Sequence, residues 1–287
     1  MSITLSNAAF TFVGAGSMAE AIVRGLTSLK DGNPERITML NRQDAARLHD
    51  LQQRYGIRYA VEAEARNLAI AQADVVIVAF KPKDAIEGLK ALSPQLKRNQ
   101  LLVSVIAGLS AATIEDILGR SDQPIARTMP NTSSSIGLGA TGIAFTAAVS
   151  ADQRELASAM FASTGIAAVV EEARLDIVTG VSGSGPAYIY YMMEAMIEGG
   201  IRGGLTPEAA RQLTVQTVLG AAKMVELTGE EPAELRRKVT SPNGTTQAAL
   251  ETLDRFDFAA GVTQAVLRAA ERAGELGQAI SAQAANR

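Results

Sequence analysis

The first half of the chain alternates short β-branched runs with segments whose apolar residues recur at helical spacing. Strand-like runs lie at residues 10–13, 37–40, 75–79, 101–105, 125–128, 142–145 and 167–170. Two of them, 75–79 and 101–105, are continuously apolar, as is typical of strands buried on both faces of a parallel sheet. The helix after the first strand is expected at 16–30. This alternation predicts an α/β fold, a Rossmann-type, doubly wound and mainly parallel sheet.

From about Arg174 onward the strand pattern disappears, and Ala, Leu, Met, Glu and Gln recur at helical spacing. Thr206 and Pro207 form a typical helix start, with Thr as the N-cap and Pro at the first helical position. No repeat or flexible linker separates the halves. We therefore predict two domains, residues 1–172 with the Rossmann-type sheet and residues 173–287 with helices only.

Composition narrows the range of partners. The chain has 287 residues, a net charge of −3, and no run of basic residues, so neither nucleic acid nor an anionic membrane surface is an expected partner. It has no cysteine, which excludes disulfides and thiolate chemistry. No apolar run reaches the ~20 residues of a membrane-spanning helix, and the first ten residues lack the basic start of a signal peptide. The cytoplasm is the expected location.

A glycine-rich turn follows the first strand and opens the first helix, in the pattern G-x-G-x-x-A ending at Ala19. In this context the pattern predicts a dinucleotide phosphate loop, because small residues let the backbone and the helix N-terminus approach the pyrophosphate. An ordinary glycine turn is the alternative. The predicted cofactor-binding residues here are Gly14, Ala15, Gly16, Ser17 and Met18.

The end of the second strand indicates which dinucleotide binds. Where NAD-specific proteins carry Asp or Glu for the ribose 2′-hydroxyl, this chain has Asn41 and Arg42. A guanidinium can bind a 2′-phosphate that a carboxylate would repel. We therefore predict NADPH as the preferred cofactor, with NADH as a usable alternative. The other interpretation is that Arg42 is a solvated residue at a helix start.

Further loops leave the carboxyl ends of parallel strands, where ligands of such sheets bind. They add Ala79, Phe80, Lys81, Pro82, Ala107, Gly108 and Asn131 to the predicted cofactor-binding residues. Any one of these loops could be an ordinary turn, but their shared edge favours a site. We interpret Lys81 mainly as a cofactor contact, with catalytic protonation as the alternative.

Two stretches of the helical half are unusual, 181–188 (VSGSGPAY) and 241–246 (SPNGTT). Small residues with two adjacent hydroxyls at a helix N-terminus could hold a carboxylate with backbone N–H groups. The plainer interpretation is that Thr245 or Thr246 is the N-cap of that helix.

Together these pieces resemble the Δ1-pyrroline-5-carboxylate reductases. The matching segments run in order across nearly the whole chain: 12–19, 80–82, 129–132, 182–188, 216–224 and 241–246. The SGSGPAY and SP-x-GTT segments are the most specific, because Rossmann proteins in general lack both. Two positions depart from the family pattern. Asn243 replaces a glycine and is expected to need a positive φ, and Ser133 replaces a proline, which is expected to loosen its loop.

The resemblance implies reduction of a cyclic imine to proline by NAD(P)H, and a helical domain that dimerises with a partner; rings of dimers also occur in the family. It implies that Gly244, Thr245 and Thr246 bind the substrate carboxylate, and that Thr246 acts in catalysis by hydrogen-bonding the ring nitrogen.

The residues suit an imine better than a ketone. A ketone reductase needs a proton donor beside the forming alkoxide, whereas a protonated imine is discharged by hydride alone. The single histidine, His49, is expected on an exposed helix and receives no role, and no residues show metal-ligand spacing. A 3-hydroxyacid dehydrogenase, a related imine reductase and a non-catalytic nucleotide sensor remain as alternatives. Against the dehydrogenase, Lys223 is followed four residues later by Leu227 rather than by an amide residue.

Overall fold

The computed structural model describes residues 3–42 and 44–285. In this part of the chain eight strands form one sheet in the order β3-β2-β1-β4-β5-β6-β7-β8. All neighbouring pairs are parallel except β6 with β7. The strands are β1 Phe10–Val13, β2 Ile37–Leu40, β3 Arg58–Ala60, β4 Val75–Val78, β5 Leu101–Ser104, β6 Ile125–Met129, β7 Gly139–Phe145 and β8 Gly165–Val169. The predicted doubly wound, mainly parallel sheet is confirmed.

Helices cover both faces of this sheet. Through residues such as Ile22, Leu51 and Phe161, helices α1 Ser17–Thr27, α2 Ala45–Tyr55 and α6 Ala151–Ala162 build the core on one face. On the other face the core is built by α3 Ala63–Gln72, α4 Ala85–Leu92 and α5 Ala111–Leu118. The fully buried β4 and β5 lie between the two cores, which explains why their sequences are continuously apolar.

The strand predictions hold to within three residues at each end, with one omission. The short edge strand β3 has a half-exposed Tyr59 between an exposed Arg58 and a buried Ala60, so its sequence carries neither alternation nor a continuous apolar run. The antiparallel pairing of β7 with β6 was also not predicted. It follows from the short connection between them, because parallel strands need a longer crossover.

From Leu175 to Ala285 the described chain contains helices and turns only, in agreement with the change of pattern near Arg174. A short α7, Leu175–Val178, continues into one π-helical turn, Thr179–Gly183. The remaining helices are α8 Gly185–Arg202, α9 Pro207–Thr228, α10 Pro232–Lys238, α11 Thr245–Arg255 and α12 Phe258–Ala285. The Thr206 hydroxyl accepts a hydrogen bond from the Ala209 N–H at 3.2 Å, which confirms the predicted cap.

The chain forms two compact units. One contains the described residues up to Ser184 together with those from Leu267 onward, and the other is Gly185–Val266. Thus the second part of α12 packs within the unit that holds the sheet. The predicted domain boundary at 172/173 was based on a change of sequence pattern. The division into compact units does not test that boundary, and it stays a prediction.

In the unit Gly185–Val266, α8 and α9 pack closely: a Cβ added at Gly200 would lie 3.1 Å from the Ala210 Cβ. Much of this unit's apolar surface nevertheless remains open. Tyr191, Leu227 and Phe256 are between 77% and 80% exposed. Exposed apolar surface on this scale is typical of a protein interface.

Candidate active site

Gly14 closes the turn between β1 and α1 in a conformation that requires glycine. Its φ is +122°, and an added Cβ would lie 2.6 Å from the carbonyl oxygen of Ala79. Its N–H donates to the Leu40 oxygen at 2.9 Å, and the Ala79 N–H donates to the Val13 oxygen at 3.0 Å. These contacts hold the loops after β1, β2 and β4 against one another at the carboxyl edge of the sheet.

Gly16 is the N-cap residue of α1, and no side chain caps the helix there. A Cβ added at Gly16 would have no neighbour within 4 Å, so the space beside this backbone is open. Ser17 is exposed and Met18 is half-buried. An uncapped helix N-terminus with open space beside it fits the phosphates of a dinucleotide.

A cavity of about 430 Å³ lies beside the glycine loop. Four of the predicted cofactor residues line it, namely Gly14, Asn41, Arg42 and Phe80. The Phe80 ring packs on the backbone of Gly88 in α4, where an added Cβ would lie 2.8 Å from the ring. Apolar side chains of β1, β2, α3 and α4 complete a surface that suits a planar base.

Three charged residues outside the predicted set line this cavity together with Arg42. Arg66 of α3 also lines the cavity, as do Asp84 and Glu87 near the start of α4. Arg66 is in no recognisable motif, and only the crossing of α3 from β3 to β4 brings it to the cavity that Arg42 also lines. A charged residue one turn into a helix at this edge of the sheet was the available signal, and it is a weak one.

A group of charged residues on α1 and α2 supports the glycine loop. The Arg47 guanidinium of α2 donates to the Ala15 oxygen at 3.4 Å and pairs with Glu20 of α1. Arg54 pairs with the same carboxylate at 2.6 Å, and the Tyr55 hydroxyl donates to it at 3.0 Å. Burial opposes ionisation of Glu20, but these hydrogen bonds and positive charges outweigh it and lower its pKa. Glu20 therefore stays ionised and holds α2 against α1.

The loop after β4 continues past Phe80 into a 3₁₀ turn, Pro82–Asp84. Lys81 is exposed, and its amine has no partner among residues 3–42 and 44–285. Neither Lys81 nor Pro82 lines the cavity. Their predicted cofactor contacts therefore stay predictions.

The loop after β5 is held by α12. Gly108 has a φ of +76° and is buried, while Ala107 beside it is exposed. A Cβ added at Gly277 of α12 would lie 2.4 Å from the Gly108 oxygen. The Thr113 and Ser281 hydroxyls are 2.6 Å apart and fix the same helix to α5. The backbone of a predicted cofactor loop thus lies directly on the backbone of α12.

This contact gives a test of the packing that supports the loop. We expect Gly277→Ala to lower the free energy of unfolding by about 1–2 kcal/mol, because its methyl group meets a backbone oxygen that cannot move freely. Gly274→Ala in the same helix is the control, since its Cβ would lie 3.4 Å from the Asp176 carboxylate, an ordinary contact. There the better helix propensity of alanine should add up to ~1 kcal/mol. Urea unfolding followed by circular dichroism measures both, and equal changes would contradict the close contact.

Asn131, after β6, uses its side chain within the protein. Its Nδ2 donates to the Ser182 oxygen at 3.1 Å, and its Oδ1 accepts from the Ala140 N–H at 3.2 Å. It thereby ties the loop after β6 to the π-helical turn 179–183, and such turns often mark functional sites. Its predicted contact with the cofactor stays a prediction.

Ser133 lies in the 3₁₀ turn that follows, Thr132–Ile136. The Leu138 N–H donates to the Ser133 oxygen at 3.1 Å, and the Ser134 N–H donates to the Asn131 oxygen at the same distance. The turn is therefore closed by backbone hydrogen bonds with serine in place of the usual proline.

The second predicted region, 241–246, opens helix α11. Asn243 has a φ of +58°, which confirms the expected positive φ, and its N–H donates to the Gln247 Oε1 at 2.8 Å. Gly244 is the N-cap residue, without a side-chain cap, so the plainer interpretation of Thr245 or Thr246 as the N-cap is wrong.

Neither the Thr245 nor the Thr246 hydroxyl has a hydrogen-bond partner among the described residues. Thr245 is exposed and Thr246 half-buried. The first turn of α11 thus presents unbonded backbone N–H groups and two free hydroxyls, the arrangement that suits a carboxylate. These residues belong to the unit Gly185–Val266, whereas the glycine loop belongs to the unit with the sheet.

His49 is exposed on α2, with its Nε2 3.0 Å from the Gln53 amide nitrogen. No group of three or more His, Cys, Asp or Glu residues among 3–42 and 44–285 could hold a metal ion. Within the same residues, every helix is too short or too polar to cross a membrane.

Comparison with known proteins gives consistent matches. Residues 172–276 match the family described as "Pyrroline-5-carboxylate reductase dimerisation", and residues 9–108 match "NADP oxidoreductase coenzyme F420-dependent". Pyrroline-5-carboxylate reductase 1 of Bacillus subtilis is 42% identical over 274 residues, which are 96% of this chain and 91% of that protein.

Two solved structures extend the comparison. The pyrroline-5-carboxylate reductase of Coxiella burnetii has a TM-score of 0.87 and 36% identity, covering 94% of this chain and 98% of its own. The pyrroline carboxylate reductase of Plasmodium falciparum, solved with NADP bound, has a TM-score of 0.82 and 27% identity, covering 95% and 99% of the two chains.

Proposed function

The chain belongs to the pyrroline-5-carboxylate reductase family, and from this premise we propose how its own residues reduce the cyclic imine Δ1-pyrroline-5-carboxylate to proline. It is an NAD(P)H-dependent oxidoreductase of proline biosynthesis. The observation that carries the proposed mechanism is the uncapped start of α11, with two threonine hydroxyls that no group among the described residues engages.

The substrate is a small five-membered ring with a carboxylate and a C=N bond, and when bound, NAD(P)H supplies a hydride to the imine carbon. The chain must therefore orient the ring, neutralise the carboxylate and bind the iminium N–H. Alignment of this kind can supply ~7–11 kcal/mol of a rate enhancement.

We assign the carboxylate to the N-terminus of α11. The backbone N–H groups of Thr245 and Thr246 belong to the first turn, which has no intrahelical partners for its donors. The helix dipole adds favourable electrostatics for an anion. Gly244 leaves this end of the helix without a Cβ, and the Thr245 hydroxyl is available as a further donor.

We assign the ring nitrogen to Thr246. The iminium N–H needs an acceptor, and a hydroxyl with free lone pairs provides one. The ring is bound as the iminium, with its nitrogen already protonated, so reduction at carbon yields a neutral amine and no general acid is required beside the nitrogen. Lys81, whose side chain is exposed, remains a cofactor contact in this proposal.

The glycine loop and the cavity fit the cofactor. Gly14 and Gly16 leave room for the pyrophosphate, and the cavity beside them receives the adenosine end. We propose that Arg42 binds the 2′-phosphate and makes NADPH the preferred cofactor. Its guanidinium has no ion-pair partner among the described residues, so it is free to bind an anion.

This preference gives a direct prediction. Arg42→Ala should raise the KM for NADPH ~10–100-fold, the loss expected for hydrogen bonds between charged groups, and change the KM for NADH less than about twofold. Steady-state kinetics with both cofactors measures the ratio. Equal changes for NADPH and NADH would contradict the assignment of Arg42.

The proposed assembly is a homodimer formed through the helical unit. Apolar side chains such as Tyr191, Leu227 and Phe256 are largely exposed in the single chain, and association would bury them. Rings of dimers and a cytoplasmic location are parts of the same proposal. Light scattering at several protein concentrations distinguishes a dimer from a larger ring.

One assay tests the reaction itself. NADPH absorbance is followed with pyrroline-5-carboxylate and then with a panel of 2- and 3-keto acids. Turnover of the imine alone supports the proposal, and turnover of keto acids alone would identify a hydroxyacid dehydrogenase. Absence of turnover with all of them would favour a nucleotide sensor. In α9, Lys223 already pairs with Glu226 at 2.5 Å, which disfavours it as a dehydrogenase lysine.

A further inference from the structure

We propose that Arg66 is a second specificity-determining residue, which together with Arg42 binds the 2′-phosphate of NADP(H). The inference rests on the proposed function, because it deepens the assignment of the same cavity. Arg42 was assigned from its position in the sequence. Arg66 belongs to no sequence motif, and only the fold brings it to the cavity.

The first argument is position. Arg42 follows β2 and Arg66 lies on α3, yet both line the cavity of about 430 Å³ beside Gly14. Asn41 and the apolar Ile70 line it as well. A ribose bound at the end of β2 would place its 2′-substituent among these residues, as in related sheets. Two guanidinium groups at such a point can bind a phosphate from two sides.

The second argument is that the Arg66 guanidinium lacks a partner in the described part of the chain. It is half-buried, and its guanidinium takes part in no hydrogen bond or ion pair with residues 3–42 or 44–285. By contrast, Arg54 on α2 pairs with both Glu20 and Asp50. A partly desolvated cation without a partner loses hydration and gains nothing in the free protein. A bound anion would supply the missing acceptor.

The third argument is charge balance. The charged residues that line the cavity are Arg42, Arg66, Asp84 and Glu87. With Arg42 alone the two carboxylates would leave the lining at −1, and a 2′-phosphate would meet net repulsion. With Arg66 the lining is neutral overall, and its two cations are free to approach the phosphate. Arg66 therefore offsets the second carboxylate, which Arg42 alone leaves unbalanced in this lining.

Binding of adenine nucleotides tests the proposal without catalysis. Adenosine 2′,5′-bisphosphate carries the 2′-phosphate and adenosine 5′-monophosphate lacks it. Calorimetry at low and moderate salt gives the dissociation constant of each for the wild type and for Arg66→Ala. We expect the 2′,5′-bisphosphate to bind about tenfold or more weakly to the variant, with the monophosphate changed less than about twofold.

Three variants make the result specific. Arg66→Lys keeps the charge but loses the planar fork, and should give an intermediate loss. Arg42→Ala combined with Arg66→Ala should remove the preference for the 2′-phosphate. Arg36→Ala is the charge-matched control: it removes one exposed arginine just before β2, at the opposite edge of the sheet, and should leave both affinities unchanged. Melting temperatures of the free variants show whether each is folded.

The outcomes separate this inference from the proposed function. If Arg66→Ala weakens both nucleotides equally, Arg66 contacts the adenosine and not the 2′-phosphate, and the inference is overturned. It is also overturned if Arg42→Ala alone removes the preference while Arg66→Ala leaves both affinities intact. If the wild type binds both nucleotides equally, the proposed NADPH preference fails together with the inference about Arg66.

Discussion

Gly14→Ala should abolish saturable NADPH binding at concentrations ~100 times those that the wild type needs, and should destabilise the fold by about 2–5 kcal/mol. Two effects add. Alanine rarely adopts the φ of +122° that the loop requires, and its Cβ would lie 2.6 Å from the Ala79 oxygen. To relieve this contact, the loops after β1 and β4 must move apart. That movement would distort the glycine loop, where the pyrophosphate is proposed to bind.

The measurement combines urea unfolding with titration of NADPH by its own fluorescence; the chain has no tryptophan to interfere. Gly119→Ala is the matched control, because Gly119 also has a positive φ, +69°, but an added Cβ would have no neighbour within 4 Å. It should show the backbone strain alone, roughly 1 kcal/mol, with normal NADPH binding. Similar losses in both variants would show that the contact with Ala79 is not what demands glycine.

Gly16→Ala separates binding from folding in the same loop. Gly16 has an ordinary φ of −75° and open space beside it, so alanine should leave the free energy of unfolding nearly unchanged. The added methyl group would occupy the space proposed for the pyrophosphate, and NADPH affinity should fall. A variant with unchanged affinity would place the phosphates elsewhere.

Thr246→Ala should lower kcat/KM for pyrroline-5-carboxylate ~10–150-fold, the effect of losing one hydrogen bond to a charged group, about 1.5–3 kcal/mol. The dissociation constant of NADPH should stay within about twofold of the wild type, because the proposed role of Thr246 is toward the imine. The hydroxyl has no partner within the described protein, so its removal should cost little stability.

Two controls define the role of that hydroxyl. Thr246→Ser restores an oxygen at the same position and should recover most of the activity, whereas the isosteric Thr246→Val should not. Thr245→Ala should raise the KM for the imine with a smaller effect on kcat, since that residue is assigned to the carboxylate. Wild-type kinetics in Thr246→Ala would show that the ring nitrogen is recognised elsewhere.

The phosphate loop was predictable because its requirements are local. A strand, a turn that needs a positive φ at Gly14 and a helix that starts at Ser17 are all specified within ten consecutive residues. The positive φ of Asn243 was predicted from the resemblance, because the family carries a glycine at that position. Local requirements of this kind depend on backbone sterics and helix termini, which the residue types report directly.

Other features depend on contacts between distant segments. The N-cap of α11 is Gly244 and not a threonine, which leaves both hydroxyls free; the sequence permits either choice. Asn131 bonds to Ser182, fifty-one residues away, and Gly108 lies against Gly277. No pattern within either segment indicates such a partner.

By itself, the sequence determined the α/β class, the strands with strong apolar runs, the helical second half and the position of the glycine loop, because hydrophobic periodicity and turn chemistry act over short distances. Only the tertiary structure decided the edge strand β3, the antiparallel β7, the return of α12 to the sheet unit and the meeting of Arg66 with Arg42 in one cavity. Those features arise when crossover connections bring residues together that are distant in the sequence. They are stabilised by packing between segments, which the sequence of one segment does not report.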